Sequence, residues 1–252
     1  MTDRDRLRAL VDGGGPILGG RFEDLPFPAA SGAAPLHFED TSFLRVDFTR
    51  AELEGALFDR CRLIDCCFER ARLDEARFLH TRLHDADANG GCSFRHAQLD
   101  GARFEHCELA LADFSSVQAW NLVLSHCGAQ GADFEQASFS RHPSRNLTLT
   151  AFTADRCNLS FAQFQRVHLA GACLAGSRLR EALLDDVDLT DADLSSCDLT
   201  AIQARRLVLR GADLRDAAFT DLDPRTIDLT GARIRPWQQQ ALMAAMGIIV
   251  DG

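Results

Sequence analysis

Ala192-Asp193-Leu194-Ser195-Ser196 decides the fold, because near-copies of this pentad follow one another along most of the chain. A Leu or Phe, here called the centre, recurs at every fifth position from Leu159 to Leu199, from Phe94 to Phe114 and from Phe38 to Leu83. A small residue, most often Ala or Cys, stands two places before it. Self-similarity at a fixed period outranks every other reading of a sequence. A period of five excludes an amphipathic helix, whose apolar positions recur about every 3.6 residues, and a strand, where they alternate. Each pentad must therefore supply one short side and one corner, so that four sides close a square coil and coils stack into a rod. Leu and Phe fill the inside, and the tighter position two before each centre accepts only small residues. The exceptions compensate: Phe152 and Ile202 enlarge the small position, and the following centres shrink to Ala154 and Ala204, which keeps the packed volume nearly constant.

The composition narrows the function. A formal charge of −10 disfavours direct nucleic-acid binding, which needs a basic stripe. All basic residues are Arg, with no Lys, and Tyr is absent. The N-terminus lacks the apolar core of a secretory signal, and no window approaches the run of about 18 apolar residues that spans a membrane. A soluble, cytoplasmic protein is expected. Of the nine cysteines, Cys61, Cys66, Cys92, Cys107, Cys127, Cys157 and Cys197 occupy the small position, and only Cys67 and Cys173 do not. Free Cys behaves as a small buried hydrophobe, so these read as slightly larger alanines rather than metal ligands or disulfides.

Residues 1–35 do not repeat. Thr2 to Val11 suits a short helix with Leu7, Leu10 and Val11 on one face, and Pro26 to Pro35 suits irregular chain, so the segment reads as a tail or an N-terminal cap. Residues 36–235 carry the repeat, with two breaks. Leu83 to Phe94 exceeds two repeats by one residue and contains Asn89-Gly90-Gly91, which favours a turn with positive φ and a projecting loop over 84–91. Ser140 to Ala151 places His142 at a small position and Ser144 at a centre. There the spacing from Phe139 to Leu159 equals one coil, leaving a distorted coil and an extruded loop both open. Over 236–252, Pro236 suits a first helical position, Trp237 to Met246 a helix, Gly247 a stop and Ile248-Ile249-Val250 a short strand.

The repeated A-[DN]-L-x-x pentad resembles the pentapeptide-repeat family, which implies an all-β solenoid, a right-handed quadrilateral β-helix, here with a short C-terminal α-helix. At the usual strand spacing the rod would be about 45 Å long. The run His126-Cys127-Gly128-Ala129-Gln130-Gly131-Ala132-Asp133-Phe134 narrows the resemblance, as do the two breaks, Asp221-Leu222-Asp223-Pro224-Arg225, and the tail Gln240 to Ile248. Together they are similar to the Qnr quinolone-resistance proteins. That resemblance implies binding to DNA gyrase, with topoisomerase IV as a second target, and protection from quinolones or other gyrase poisons. It also implies a homodimer through the C-terminal helix, with no direct contact to nucleic acid or membrane. Carried onto this chain, it makes His84, Asp85, Asp87, Asn89 and Gly90 one partner-binding loop, and Arg141, His142, Pro143, Ser144, Arg145, Leu147 and Thr148 the other. Trp237, Leu242, Met243, Met246 and Ile248 become dimer contacts.

A filled stack leaves no pocket for catalysis, and Ser140, His142 and Ser144 have no carboxylate placed to orient the histidine. No catalytic residue, metal ligand or cofactor is expected. Glu181, Asp185, Asp186, Asp188, Asp191, Asp193 and Asp198 form an acidic run without a basic residue among them, which is either a solvated surface or a partial imitation of DNA. Duplex DNA carries one charge per about 1.7 Å, so a 45 Å imitation needs about 26 charges, and mimicry here would be partial. The alternative function is a stiff scaffold for an unrelated partner.

Overall fold

In the computed structural model, which describes residues 2–28, 35–85, 90–145, 147–220 and 222–249, the chain is a β-solenoid of square cross-section with a short C-terminal helix. Its coils stack in parallel register. One side forms a seven-stranded sheet from Ile17–Leu18 through His37–Glu39, Leu57–Asp59, Arg77–Leu79, Arg103–Glu105 and Leu122–Ser125 to Phe152–Asp155. Single parallel bridges continue it from Thr153 to Cys173, Asp193, Asp213 and Arg233.

The centres fill the interior as the pentad requires. From Phe38 to Leu83 every centre is at most 1% exposed. Phenylalanines one coil apart lie face to face at the coil spacing: Phe48–Phe68 at 4.5 Å, Phe68–Phe94 at 4.9 Å and Phe94–Phe114 at 4.8 Å between centroids. Phe58 meets Phe68 edge-on at 6.3 Å within one coil, so each ring stacks vertically and packs its edge horizontally. Phe152 and Ala154 are both buried, and Phe152 fills its enlarged position against Phe139 at 4.3 Å.

The stack begins before residue 36, where the sequence reading starts the repeat. Ile17 pairs with Phe38, Phe22 with Phe43 and Pro26 with Asp47, so the described part of the first 35 residues already supplies sides of a coil. Ile17, Phe22 and Phe27 are themselves five residues apart, a run of three centres separated from Phe38 by the stretch from Pro28 to Pro35, so the repeat itself starts before residue 36. Helix α1 (Asp3–Asp12) is closed by a capping box between Thr2 and Asp5 and buries Leu7 and Val11 in the core. Leu10 stays at the surface.

The cysteine column corrects the reading of Cys as a larger Ala. Thr41, Cys61, Thr81, Cys107, Cys127, Cys157, Ser177 and Cys197 stand above one another at one corner, and every one carries a hydrogen-bond donor. Most other corners close with a bond from the small residue's N–H to the preceding centre's carbonyl, as from Ala51 to Phe48 and Ala71 to Phe68. That bond persists at Ser177 and Cys197, but at Cys61, Cys127 and Cys157 the N–H donates instead to the side chain of the next coil. Thr81 Oγ1 accepts the Cys61 N–H (3.2 Å) and donates to the Phe58 carbonyl (3.0 Å), and Ser177 Oγ does the same for Cys157 (2.9 Å) and Ala154 (2.6 Å). Cys107 and Cys127 donate to Phe78 and Phe104, and one corner further on Cys92 donates to Leu63. Burial pushes the Cys61 and Cys197 thiols up to about 12, which keeps them protonated donors.

Candidate functional site

At the first break the offset between coils lengthens by six residues. Below it strands pair twenty residues apart, as Asp47 with Cys67, and across it twenty-six apart, as Arg72 with Gln98, after which the twenty-residue offset returns from Ser93 to Asp113. His84 and Asp85 lead into the loop, with Asp85 salt-bridged to Arg62. The expected contacts Asp87 and Asn89 lie outside the described residues. Gly90 and Gly91 do not adopt positive φ, and Asn89, where the expected Asn-Gly-Gly turn begins, lies outside the described residues. Gly91 is needed for another reason: a Cβ there would collide with the backbone of Leu111 and Ala112.

The second break is an extruded hairpin. Ser140–Ser144 and Leu147–Thr150 pair antiparallel, with Ser140 opposite Thr150 and Arg141 opposite Leu149. The offset between coils rises to thirty, as Gly128 with Asn158, so ten residues leave the stack. Ala151 N–H donates to the Phe139 carbonyl at 3.0 Å and closes the base. His142 Nδ1 and Thr148 Oγ1 meet across the strands at 3.1 Å, and Ser140 Oγ and Thr150 Oγ1 at 2.9 Å. Pro143, Ser144, Arg145, Leu147 and Leu149 are exposed. Beneath His142 and Thr148 runs an open groove of about 430 Å³, also lined by Gln136, Arg166 and His168. On the opposite flank Arg141 lies against the coil, its guanidinium carbon 4.0 Å from the Trp120 ring centroid and its Nη2 2.7 Å from Asp100 Oδ2.

At the C-terminal end, Pro236–Gln238 form a 3-10 turn that runs into helix α2 (Gln239–Ala245). Gln238 is 2% exposed and donates to the carbonyls of Leu214 (2.8 Å) and Ala217 (2.7 Å), plugging one corner of the last coil. Gly247 takes φ 77° and Ile248 N–H returns to the Met243 carbonyl at 2.9 Å, ending the helix. The strand expected at Ile248-Ile249-Val250 is absent over the described Ile248 and Ile249, because Ile248 is held by this cap. Trp237, Ile248 and Ile249 are exposed, while Leu242, Met243 and Met246 are half-buried.

The acidic run does not make a patch. Asp188, Asp193 and Asp198 lie on three successive sides, since Asp188 stacks on His168, Asp193 on Cys173 and Asp198 on Arg178. Consecutive pentads occupy consecutive sides, so the eighteen residues from Glu181 to Asp198 wind into a band around the rod. All seven side chains remain outside the core, but several are engaged. Asp186 is salt-bridged to Arg206, which holds its carboxyl below the usual range, and Asp188 lies 3.1 Å from His168 Nδ1. Asp185 accepts the Arg205 N–H at 2.7 Å, and Glu181 lies 3.3 Å from Arg180. Asp193 and Asp198 accept the N–H groups two residues on, of Ser195 and Thr200.

Histidines that look scattered in sequence converge on the outside of the corner that carries the cysteine column: His80, His106 and His126, each just before Thr81, Cys107 and Cys127, stack with centroids 5.2 and 5.0 Å apart. Their spacings of 26 and 20 residues match the coil offsets. Among the described residues, no three His, Cys, Asp or Glu side chains are grouped to hold a metal ion, and no helix is long and apolar enough to cross a membrane.

The pentapeptide-repeat family matches eight copies, over residues 56–90, 92–127 and 162–200. Full-length QnrB1, a plasmid-mediated fluoroquinolone resistance protein, is 27% identical and covers 91% of this chain and 100% of its own, with a TM-score of 0.76. A trypsin-treated form of QnrB1 gives the same TM-score over 94% of this chain. The pentapeptide repeat protein QnrB4 of Escherichia coli is 30% identical over 88 residues, 35% of this chain. The chain carries pentapeptide repeats and is similar to the Qnr proteins. Its alignment with QnrB4 spans 41% of that relative's length, whereas the QnrB1 likeness runs along the whole rod. In this Qnr-like rod both breaks read from sequence are true departures from the coil. The residues that seat the hairpin, Asp100 and Trp120, were not singled out by sequence. Their signal was faint: Trp120 is a large aromatic at an outward position beside a centre reduced to Ala119.

Proposed function

We propose that this protein binds a type II topoisomerase, DNA gyrase in the first place and topoisomerase IV in the second, and protects it from quinolones or related poisons as a non-enzymatic cytoplasmic partner. The likeness to QnrB1 along the rod's full length carries this reading. The hairpin at Ser140–Thr150 and the loop over 84–91 supply the side-on contacts. The exposed Trp237 and Ile248 beside half-buried Leu242, Met243 and Met246 support a homodimer through the C-terminal end. The acidic band adds salt-dependent attraction rather than a copy of DNA, because it encircles the rod and Asp186 and Asp188 are already paired. A supercoiling assay with gyrase and a quinolone, at increasing concentrations of this protein, is expected to restore activity. A version with 140–151 replaced by a tight turn should lose that rescue. Absence of rescue by the intact protein with any gyrase poison would leave the scaffold for an unrelated partner as the better account.

A further inference from the structure

We propose that Arg141 is a positioning residue, a latch that fixes the hairpin to the coil in the orientation the topoisomerase meets, rather than one of the contacts made to that partner. The inference rests on the function proposed above. Its physical basis lies in where the guanidinium is placed. Arg141 stands in the first hairpin strand, yet its side chain reaches back to the side of the rod carrying Asp100 and Trp120 on successive coils. It lies 4.0 Å from the Trp120 ring centroid and 2.7 Å from Asp100. Asp100 is itself held, since its other oxygen accepts the Trp120 N–H at 2.8 Å and its own N–H donates to Asp74 Oδ1 at 3.2 Å. The cation therefore meets a prepared seat: an aromatic face and a carboxylate whose rotamer is fixed by the coil below. Planar stacking and a directed N–H suit Arg and not Lys.

Among the described residues this is the one ion pair that joins hairpin to coil; the other side-chain bonds of the hairpin, Ser140 to Thr150 and His142 to Thr148, lie within it. A two-stranded hairpin is marginal by itself. Its base is covalently fixed by the coil, but its tilt depends on a contact of this kind. With the latch closed, the His142 and Thr148 flank overhangs the groove lined by Gln136, Arg166 and His168, and Arg145 and Leu147 stay free at the outer end.

The test separates latch from function. Trp237→Phe leaves Trp120 as the only tryptophan, so its quenching by acrylamide reports whether the ring is covered. In that background Arg141→Ala should increase quenching and Arg141→Lys should fall between, with the circular dichroism of the coil unchanged. In the chain that retains Trp237, Arg141→Ala should require roughly tenfold more protein for equal rescue of gyrase, the combined weight of a cation–π contact and a screened ion pair. Unchanged Trp120 quenching in Arg141→Ala overturns the latch whatever gyrase does. Increased quenching with undiminished rescue overturns its role in positioning. Failure of the Arg141-containing protein to rescue gyrase at all would instead overturn the function on which the inference rests, and the quenching comparison would still decide the latch.

Discussion

Ser177 shows how a single hydroxyl holds two coils together. Its Oγ accepts the Cys157 N–H and donates to the Ala154 carbonyl, and the residue is fully buried. Ser177→Ala strands a buried donor and a buried acceptor, and should lower stability by about 2 kcal/mol in urea unfolding. Ser177→Cys should recover most of that loss, since a thiol serves the same corner at Cys107 and Cys127. Asp213 gives a pH-dependent counterpart. Its carboxylate is 6% exposed and lies 2.6 Å from Arg215 and 3.1 Å from Arg233. The hydrogen bond from Arg215 leads the causes that hold its pKa at about 2. A depressed folded-state pKa contributes stability above the unfolded value near 4 and loses it as pH falls toward 2. Asp213→Asn should therefore cost about 1 kcal/mol at neutral pH, allowing for solvent screening of two exposed guanidinium groups, and the gap between the melting curves should close at about pH 2.

At the scale of elements, the positions of the breaks were legible and their shapes were not. Pentad spacing located both the loop after Leu83 and the departure after Phe139, because a centre cannot be replaced by Ser144 or a small position by His142 without leaving the core. Whether that chain bulges or leaves depends on the pairing of Gly128 with Asn158, a register that the unchanged spacing from Phe139 to Leu159 conceals. The same limit explains the C-terminal tail. Ile248 and Ile249 have strand-forming side chains, but the Schellman-type bond to Met243 is a property of the helix end and is local in space rather than in propensity. Gln238 went unnoticed for the same reason, since a Gln reads as surface until two carbonyls of the last coil face it. The half-buried Met246 and exposed Ile248 give the dimer a concrete test. Met246→Glu would desolvate a charge in the paired state, and sedimentation should then show monomers; an unchanged dimer would move the interface elsewhere.

For the molecule as a whole, the stack turns sequence neighbours into different faces and distant residues into one column. The acidic run becomes a band, while His80, His106 and His126 become a ladder. Any partner approaching from one side meets only part of the band. Asp185→Asn with Asp191→Asn should therefore weaken gyrase binding modestly at low salt, and titrations at high salt should show the two proteins converging. The return of the twenty-residue offset after each excursion, from Ser93 to Asp113 and from Asn158 to Arg178, uncouples contour length from height. Each corner is thus an insertion port with its own fixed altitude. A foreign segment whose ends meet at one strand spacing, about 5 Å, could be spliced where the hairpin now stands and displayed at that altitude while every coil above kept its address.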